Sequence, residues 1–383
     1  MKKSIAALSF GTLGLGISEF VMMGILPDIA HDVNISIPEA GHLISAYALG
    51  VCVGAPTLLL MSRKRPLKQI LLLLATIYTI ANFAFALSPW YGLMLFTRFL
   101  AGLPHGAFFG VGSIVAEKLA DKGHASTAVS QMVAGMTIAN LVGVPLGTWI
   151  SSMFLWRYTY LLVGCLGVLL FYFLWRFVPY FAPMPDTGLK GQFRFLRHRE
   201  PWLLLGATMF GNGGVFCLYS YINPLLTRVA GFSESNITTL MVIAGLGMVI
   251  GNLLSGKLSD RYTPARVATA TQALICISLA LFFYGAHDPA TAILLTFLCT
   301  AGLFAVSSPQ QLLLIKNSPG GEMLGAASVQ VAFNLGNALG AYCGGLPITL
   351  GYNYQYTAPI GATFALIGFL LLLFYTKREE RIA

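Results

Sequence analysis

Three residues of this chain, Glu19, Arg98 and His105, are of a type and in a setting that point to chemistry. Glu19 and Arg98 each lie inside a long apolar run. An ionisable side chain surrounded by hydrocarbon costs several kcal/mol, so its presence there is by default a functional hypothesis. Glu19 lies nine residues before Asp28, and Arg98 lies about eight residues into its own run. At about 1.5 Å per residue both fall roughly 12–14 Å below the same surface, and they are expected to pair. The chemistry open to such a pair is proton loading. A carboxyl takes up or gives up a proton as its burial and its distance from a cation change. The alternative is a static ion pair that fixes two helices. His105 follows Arg98 by seven residues, on nearly the same helix face and about 10 Å further in. Imidazole suits a proton carrier. Leu103-Pro104-His105-Gly106 also fits a kinked helix whose histidine is simply hydrogen-bonded.

Uncharged polar residues form a second group: Asn140, Asn212, Tyr219, Asn223, Gln310, Gln330 and Asn334, with Tyr221, Gln311 and Asn337 nearby. Facing a midplane cavity, such amides and phenols would hydrogen-bond the hydroxyls of a small polar solute. Tying neighbouring helices together is the other use of an intramembrane amide. Phe210 and Phe216 would suit a greasy, drug-accepting cavity instead.

No cofactor and no metal are expected. The cysteines 52, 165, 217, 276, 299 and 343 lie in apolar runs without metal-ligand spacing, as small buried hydrophobes do. The run from Gly251 to Leu258 comes within one residue of a phosphate loop. It lacks the Ser or Thr that holds magnesium, and it ends a helix rather than joining a strand to one.

The elements that must position these residues are membrane helices. Of 383 residues 56% are hydrophobic and only 10% charged. A soluble protein of this size could not expose so little charge and stay dispersed. A helix needs about 20 apolar residues to cross the hydrocarbon core. Twelve such runs occur, near 5–29, 40–61, 69–88, 91–116, 127–150, 158–178, 202–227, 237–258, 266–285, 290–315, 323–350 and 356–376. The first begins like a signal peptide but is too long, carries Glu19, and has no small-residue cleavage site.

The net charge of +9 is a topology signal rather than a nucleic-acid site. With the N-terminus placed in the cytoplasm, 20 of the 23 Lys and Arg fall on the cytoplasmic face. Only Arg157 and Arg228 fall on the other face, and Arg98 lies within the membrane. This asymmetry predicts both termini in the cytoplasm and, for a bacterium, the inner membrane. The expected partners are the lipid bilayer, a small-molecule substrate and protons, with no nucleic acid; a monomer is expected.

The second half repeats the first about 197 residues later. Leu49-Gly50-Val51-Cys52-Val53-Gly54 recurs as Leu246-Gly247-Met248-Val249-Ile250-Gly251, Pro27 meets Pro224, and Ser36 meets Ser233. Two six-helix bundles related by a parallel repeat are the architecture of a secondary transporter with its site between the halves. The expected fold is therefore all-α, with twelve transmembrane helices in two bundles, 1–178 and 202–383. Between them, 179–201 forms a basic, aromatic linker suited to the headgroup layer. Glycines spaced by four, such as Gly143/Gly147 and Gly336/Gly340, serve helix packing or offer surfaces along which the halves slide. An enzyme would need a convergent nucleophile, base or metal cluster, and none is visible. A membrane sensor without transport is the remaining alternative.

Gly256-Lys257-Leu258-Ser259-Asp260-Arg261, continuing to Arg266, resembles a loop motif of the major facilitator superfamily. Thr97-Arg98-Phe99-Leu100-Ala101-Gly102 is similar to the span-four motif of its drug/proton antiporter branch. The stretch from Gly135 to Gly147 resembles the antiporter motif, without its usual Gly-Pro order. The resemblance runs over the whole chain. It implies the major facilitator fold, proton-coupled efflux of a sugar or other small solute, and alternating access. It also implies proton transfer through Arg98 and a gate at Gly256, Asp260, Arg261 and Arg266. The repeat sets Arg63 opposite Asp260 where the family has an acid, which implies a weaker lock in the first half.

Overall fold

The computed structural model describes residues 2–35 and 37–382, so Ser36 lies outside the described residues. The described residues form helices joined by short turns. In order these are α1 (Lys2–Asp32), α2 (Ile37–Ser62), α3 (Leu67–Ala86), α4 (Tyr91–Leu119), α5 (Ala125–Ile138), α6 (Val144–Met153), α7 (Trp156–Phe177) and the short α8 (Gly188–Gln192). There follow α9 (Arg199–Tyr219), α10 (Ile222–Arg228), α11 (Ile237–Arg261), α12 (Pro264–Gly285), α13 (Pro289–Ala305), α14 (Ser307–Lys316), α15 (Glu322–Thr349) and α16 (Thr357–Ile382).

Among the described residues, 11 spans are long and apolar enough to cross a membrane. The twelfth long helix is α15, with 28 residues. Gln330, Asn334, Asn337 and its glycines dilute its apolar character, so it falls short on composition and not on length.

Three of the expected spans are interrupted, and proline explains each interruption. A proline has no N–H for the carbonyl four residues earlier, and its ring crowds that carbonyl. Pro145 frees residue 141, inside the π-turn Ala139–Gly143 that joins α5 to α6. Pro224 frees Ser220, at the break between α9 and α10. Pro309 frees Ala305, the last residue of α13 before α14 begins at Ser307.

The chain packs into two compact units. One comprises Met1–Phe195 with Ser318–Val331, the other Leu196–Asn317 with Ala332–Ala383. The division at Ser318–Val331 departs from one drawn along the sequence, because those residues pack on the first unit. The Gly320 carbonyl accepts from Thr187 Oγ1 (2.6 Å) and Gln192 Nε2 (3.1 Å). The Met323 carbonyl and Ala327 lie against Gly110.

The same pairing of helices recurs in each unit. In the first, α2 packs on α4, α3 on α7 and α4; in the second, α11 packs on α13, α12 on α16 and α13. Glycines set the closest approaches. A side chain at Gly50 or Gly54 would strike the Phe99 or Leu103 carbonyl, and one at Gly247 or Gly251 the Phe297 or Ala301 carbonyl. Gly143 and Gly147 face Ile17 and Val21 of α1, while Gly336 and Gly340 face the Met209 and Gly213 carbonyls of α9. These four pack helices within a unit, the first of the two uses expected of them.

Candidate functional site

The first unit buries Glu19 (7% exposed), Arg98 (0%) and His105 (0%) among α1, α2, α3, α4 and α7. Arg157 ties Asp32 (3.1 Å) to the Ser88 carbonyl (2.7 Å), so the end of α1 and the start of α4 lie level. Measured from those ends, Glu19 is about 20 Å deep, Arg98 about 11 Å and His105 about 21 Å. Among the described residues the expected Glu19–Arg98 ion pair is not formed. Helix α1 runs on to Asp32 rather than ending near Asp28, which sets Glu19 about one turn deeper than the sequence suggested. Its ionisable neighbour is His105, with Oε2 3.7 Å from Nδ1.

Arg98 is held by other groups. Its Nη1 donates to the Ser18 carbonyl (3.0 Å), and its guanidinium lies over the rings of Tyr47 (4.5 Å), Phe85 and Tyr160 (5.5 Å each). A weakly hydrated planar cation can be held this way without a carboxylate, since aromatic faces attract it. Ser18 Oγ donates to Asn82 Oδ1 (2.8 Å), and Tyr160 donates to the Ser18 carbonyl (3.2 Å). His105 stacks on Phe109 at 14° between planes, and its Nδ1 lies 2.9 Å from the Tyr47 hydroxyl. Glu19 Oε2, Arg98 Nη2 and His105 Nε2 are buried without a hydrogen-bond partner. Such atoms are costly where they sit.

Tyr47, Ser18, Asn82 and Tyr160 were not singled out from the sequence. The signal was present, because each is a polar residue in an apolar run. What was missing was the register that brings five helices to one place.

The seven expected cavity residues divide between the units. Asn140 sits in the π-turn and spends its amide on the Met136 carbonyl of its own helix (3.0 Å). Gln330 lies on the stretch of α15 that packs with the first unit and is buried, as is Asn334 in the second. In the second unit Asn212 and Gln310 are buried, and Thr208 donates to Gln310 Oε1 (3.0 Å). Asn212 Oδ1 and Gln310 Nε2 are left unpartnered. Gln272, not anticipated, presses its carbonyl oxygen on Gly211 of α9. Tyr219 meets Phe216 edge-on at 6.1 Å. Phe333 contacts Phe216 at 5.8 Å and Phe304 at 6.5 Å. Asn223 is exposed, because the break after Tyr219 puts it on α10 rather than on a continuous span.

At the end of α11, Gly256 is buried, Asp260 half-buried and Arg261 exposed over the Tyr262 ring (5.5 Å). Thr263 caps α12 by accepting from the Arg266 N–H (3.2 Å). The Arg266 side chain pairs with Glu380 (2.7 Å). Arg63, the repeat counterpart of Asp260, pairs with Asp186 of the linker (2.9 Å). The Gly188 N–H and then the Arg63 guanidinium hold the Asp186 carboxyl below the usual carboxylate range.

The sequence profile of the Major Facilitator Superfamily matches residues 8–329. AraJ of Escherichia coli (strain K12) is 48% identical over 382 residues, covering 99% of this chain and 97% of that protein. A protein of Helicobacter pylori (strain J99) named "Probable sugar efflux transporter" is 26% identical over 382 residues, covering 99% and 95%. The crystal structure of the E. coli fucose:proton symporter FucP superposes with a TM-score of 0.78 at 16% identity, over 97% of this chain and 98% of that one. At that identity the likeness establishes the fold alone. The family match, the near-complete coverage by AraJ and the shared fold agree: this chain belongs to the Major Facilitator Superfamily and is a multi-pass membrane transporter, not an enzyme.

Proposed function

We propose that the protein is a proton-coupled exporter in the bacterial inner membrane, with both termini in the cytoplasm, that expels a small sugar such as arabinose as a monomer. One observation carries the coupling. A carboxyl and an imidazole meet at 3.7 Å inside membrane-spanning helices, with a buried guanidinium on the same helix as the imidazole. Three ionisable groups in one apolar interior, each with an unsatisfied atom, are costly to keep unless their protonation changes during the cycle. Glu19 and His105 exchange the proton, and Arg98 sets the field around Glu19.

The sugar reading rests on the named activity of the H. pylori relative and on the uncharged amides Asn212, Gln310 and Asn334, with Tyr219, in the second unit. Asn223 stands apart from these residues, exposed on α10. The cluster of Phe216, Phe304 and Phe333 favours a second reading, export of an amphipathic drug or other metabolite. Gly256, Asp260 and Arg261 at the end of α11, with Arg266 at the start of α12, form the gate.

The experiment uses inside-out vesicles with an acid interior and a fluorescent pH probe. Pentoses, thiogalactosides and lipophilic cations are added in turn to wild type and to Glu19→Gln. Proton release with a pentose, lost in Glu19→Gln, is the expected result. Release with cations alone moves the assignment to drug export, and silence from every compound overturns both readings. Release that survives in Glu19→Gln removes Glu19 from the coupling path.

A further inference from the structure

The proton-coupling reading places Glu19 and His105 in one step, but the geometry puts a third group between them. Both Tyr47 and Glu19 address the same atom, His105 Nδ1: the Tyr47 hydroxyl at 2.9 Å and Glu19 Oε2 at 3.7 Å. Only the first is a hydrogen-bond distance. A ring nitrogen has one lone pair or one N–H, so it serves one of the two oxygens at a time.

Tyr47 is built to stay in this position. It is 1% exposed, its ring lies under the Arg98 guanidinium at 4.5 Å, and it meets the His105 ring edge-on at 5.8 Å. Its own carbonyl lies so near Gly102 that a side chain there would strike it, which holds α2 against α4 at this level. The ionisable groups around the hydroxyl are Glu19 of α1, Tyr78 of α3, Arg98 and His105 of α4, and Tyr160 of α7.

We propose that Tyr47 is a positioning residue that keeps the Glu19 proton off His105 until its hydroxyl turns away from Nδ1. This rests on the coupling reading above and names the group that keeps the proton step tied to solute movement. In the resting arrangement Tyr47 donates its O–H to the bare Nδ1, and the ring carries its proton on Nε2. When the hydroxyl releases Nδ1, a protonated Glu19 gives its proton to the vacated lone pair. One O–H bond breaks and one N–H bond forms, leaving a carboxylate beside an imidazolium. The reverse step returns the proton, and nothing else is consumed. With the hydroxyl removed, Glu19 and His105 exchange the proton freely, and the acid gradient leaks without solute.

The test compares wild type, Tyr47→Phe, Glu19→Gln and the double variant in inside-out vesicles with an acid interior and no solute. Phe keeps the ring under Arg98 and removes only the hydroxyl. The expected result is a leak about fivefold faster in Tyr47→Phe, the ratio corresponding to one lost hydrogen bond of ordinary strength. The leak should return to the wild-type rate in the double variant, because Glu19 is the donor. An unchanged leak in Tyr47→Phe, or a raised leak that persists in the double variant, overturns the proposal.

A second measurement does not depend on Tyr47→Phe folding. It is nitrogen NMR of the ¹⁵N-histidine-labelled protein in detergent, with His105 assigned by its loss in His105→Gln. Because Tyr47 is the partner of Nδ1, that signal should stay in place in Glu19→Gln. A shift there would make Glu19 the partner and overturn the proposal. Wild-type vesicles that release no protons on adding any solute would refute the coupling reading instead, while the leak and the nitrogen signal still decide the place of Tyr47.

Discussion

The two units share a helix pairing but exchange their chemistry. Glu19 and Tyr47 correspond through the repeat to Phe216 and Ala244. The glycine contacts set α4 against α13, because Gly50 meets the Phe99 carbonyl as Gly247 meets that of Phe297. In that register Arg98 corresponds to Thr296 and His105 to Leu303. All four counterparts are buried, and none is ionisable. The exchange also runs the other way. Asn212, Asn252 and Gln272 of the second unit correspond to Leu15, Ala55 and Ala75, each buried and apolar. The first unit thus buries ionisable groups where the second has none, and the second buries amides where the first is apolar. A duplicated scaffold keeps its backbone contacts, fixed by carbonyls and glycines, while each copy's interior polar groups diverge.

The severest way to break this comparison is to give the second unit the first unit's carboxylate. Phe216 meets Phe333 and Tyr219 edge-on, and no cation occupies the positions equivalent to Arg98 and His105. Phe216→Glu leaves a buried charge uncompensated, which costs about 3–5 kcal/mol. Thermal unfolding in detergent should show a large loss of stability, or no monodisperse protein. Stability equal to wild type would mean that Phe216 faces water, and the contrast between the units would fail.

A milder change sharpens the division. Asn212→Leu installs the residue that the first unit carries at the corresponding position, and it removes a buried amide whose Oδ1 has no partner. Where Asn212 binds solute, losing one hydrogen bond of about 1–1.5 kcal/mol weakens half-saturation roughly tenfold. The proton leak without solute should stay at the wild-type rate, because no ionisable group has been touched. Where the amide is only structural, thermal stability changes and half-saturation does not. Measuring both in the same preparation separates the two cases.

These contrasts were only partly legible beforehand. The apolar runs, the charge asymmetry and the repeat imply two helical membrane bundles, because crossing a bilayer constrains length and composition more than identity. The positions of the interruptions were hidden, although Pro145, Pro224 and Pro309 stood in view: a proline frees a carbonyl, and the surrounding packing decides whether the helix then breaks. The partner of Glu19 turned on where α1 ends. A four-residue error in that end shifts depth by about 6 Å, enough to exchange His105 for Arg98. Tyr47 was missed because it lies on a different span. One span's periodicity says which residues share its face and nothing about the atom a neighbouring helix presents.

The weakest contrast lies where the repeat sets Arg63 against Asp260. The first unit has no acid at that position, and the linker supplies one. Asp186 accepts from Arg63 at 2.9 Å and lies 3.8 Å from Lys64, while the adjacent Thr187 donates to the Gly320 carbonyl. The carboxyl is held below its ordinary range by the Gly188 N–H and by Arg63. A carboxyl depressed in the folded protein contributes its contact above its unfolded value, and the contact is lost as pH falls through the folded one. The linker should therefore be tethered at neutral pH and loosen only on acidification below the ordinary carboxylate range. Asp186→Asn should speed proteolysis between residues 179 and 195 by a factor of about two at neutral pH, as expected for an exposed ion pair. The two proteins should converge as the pH is lowered, with an acid-active protease as the probe. A difference that persists in acid would show that Asp186 holds the linker through its shape rather than its charge.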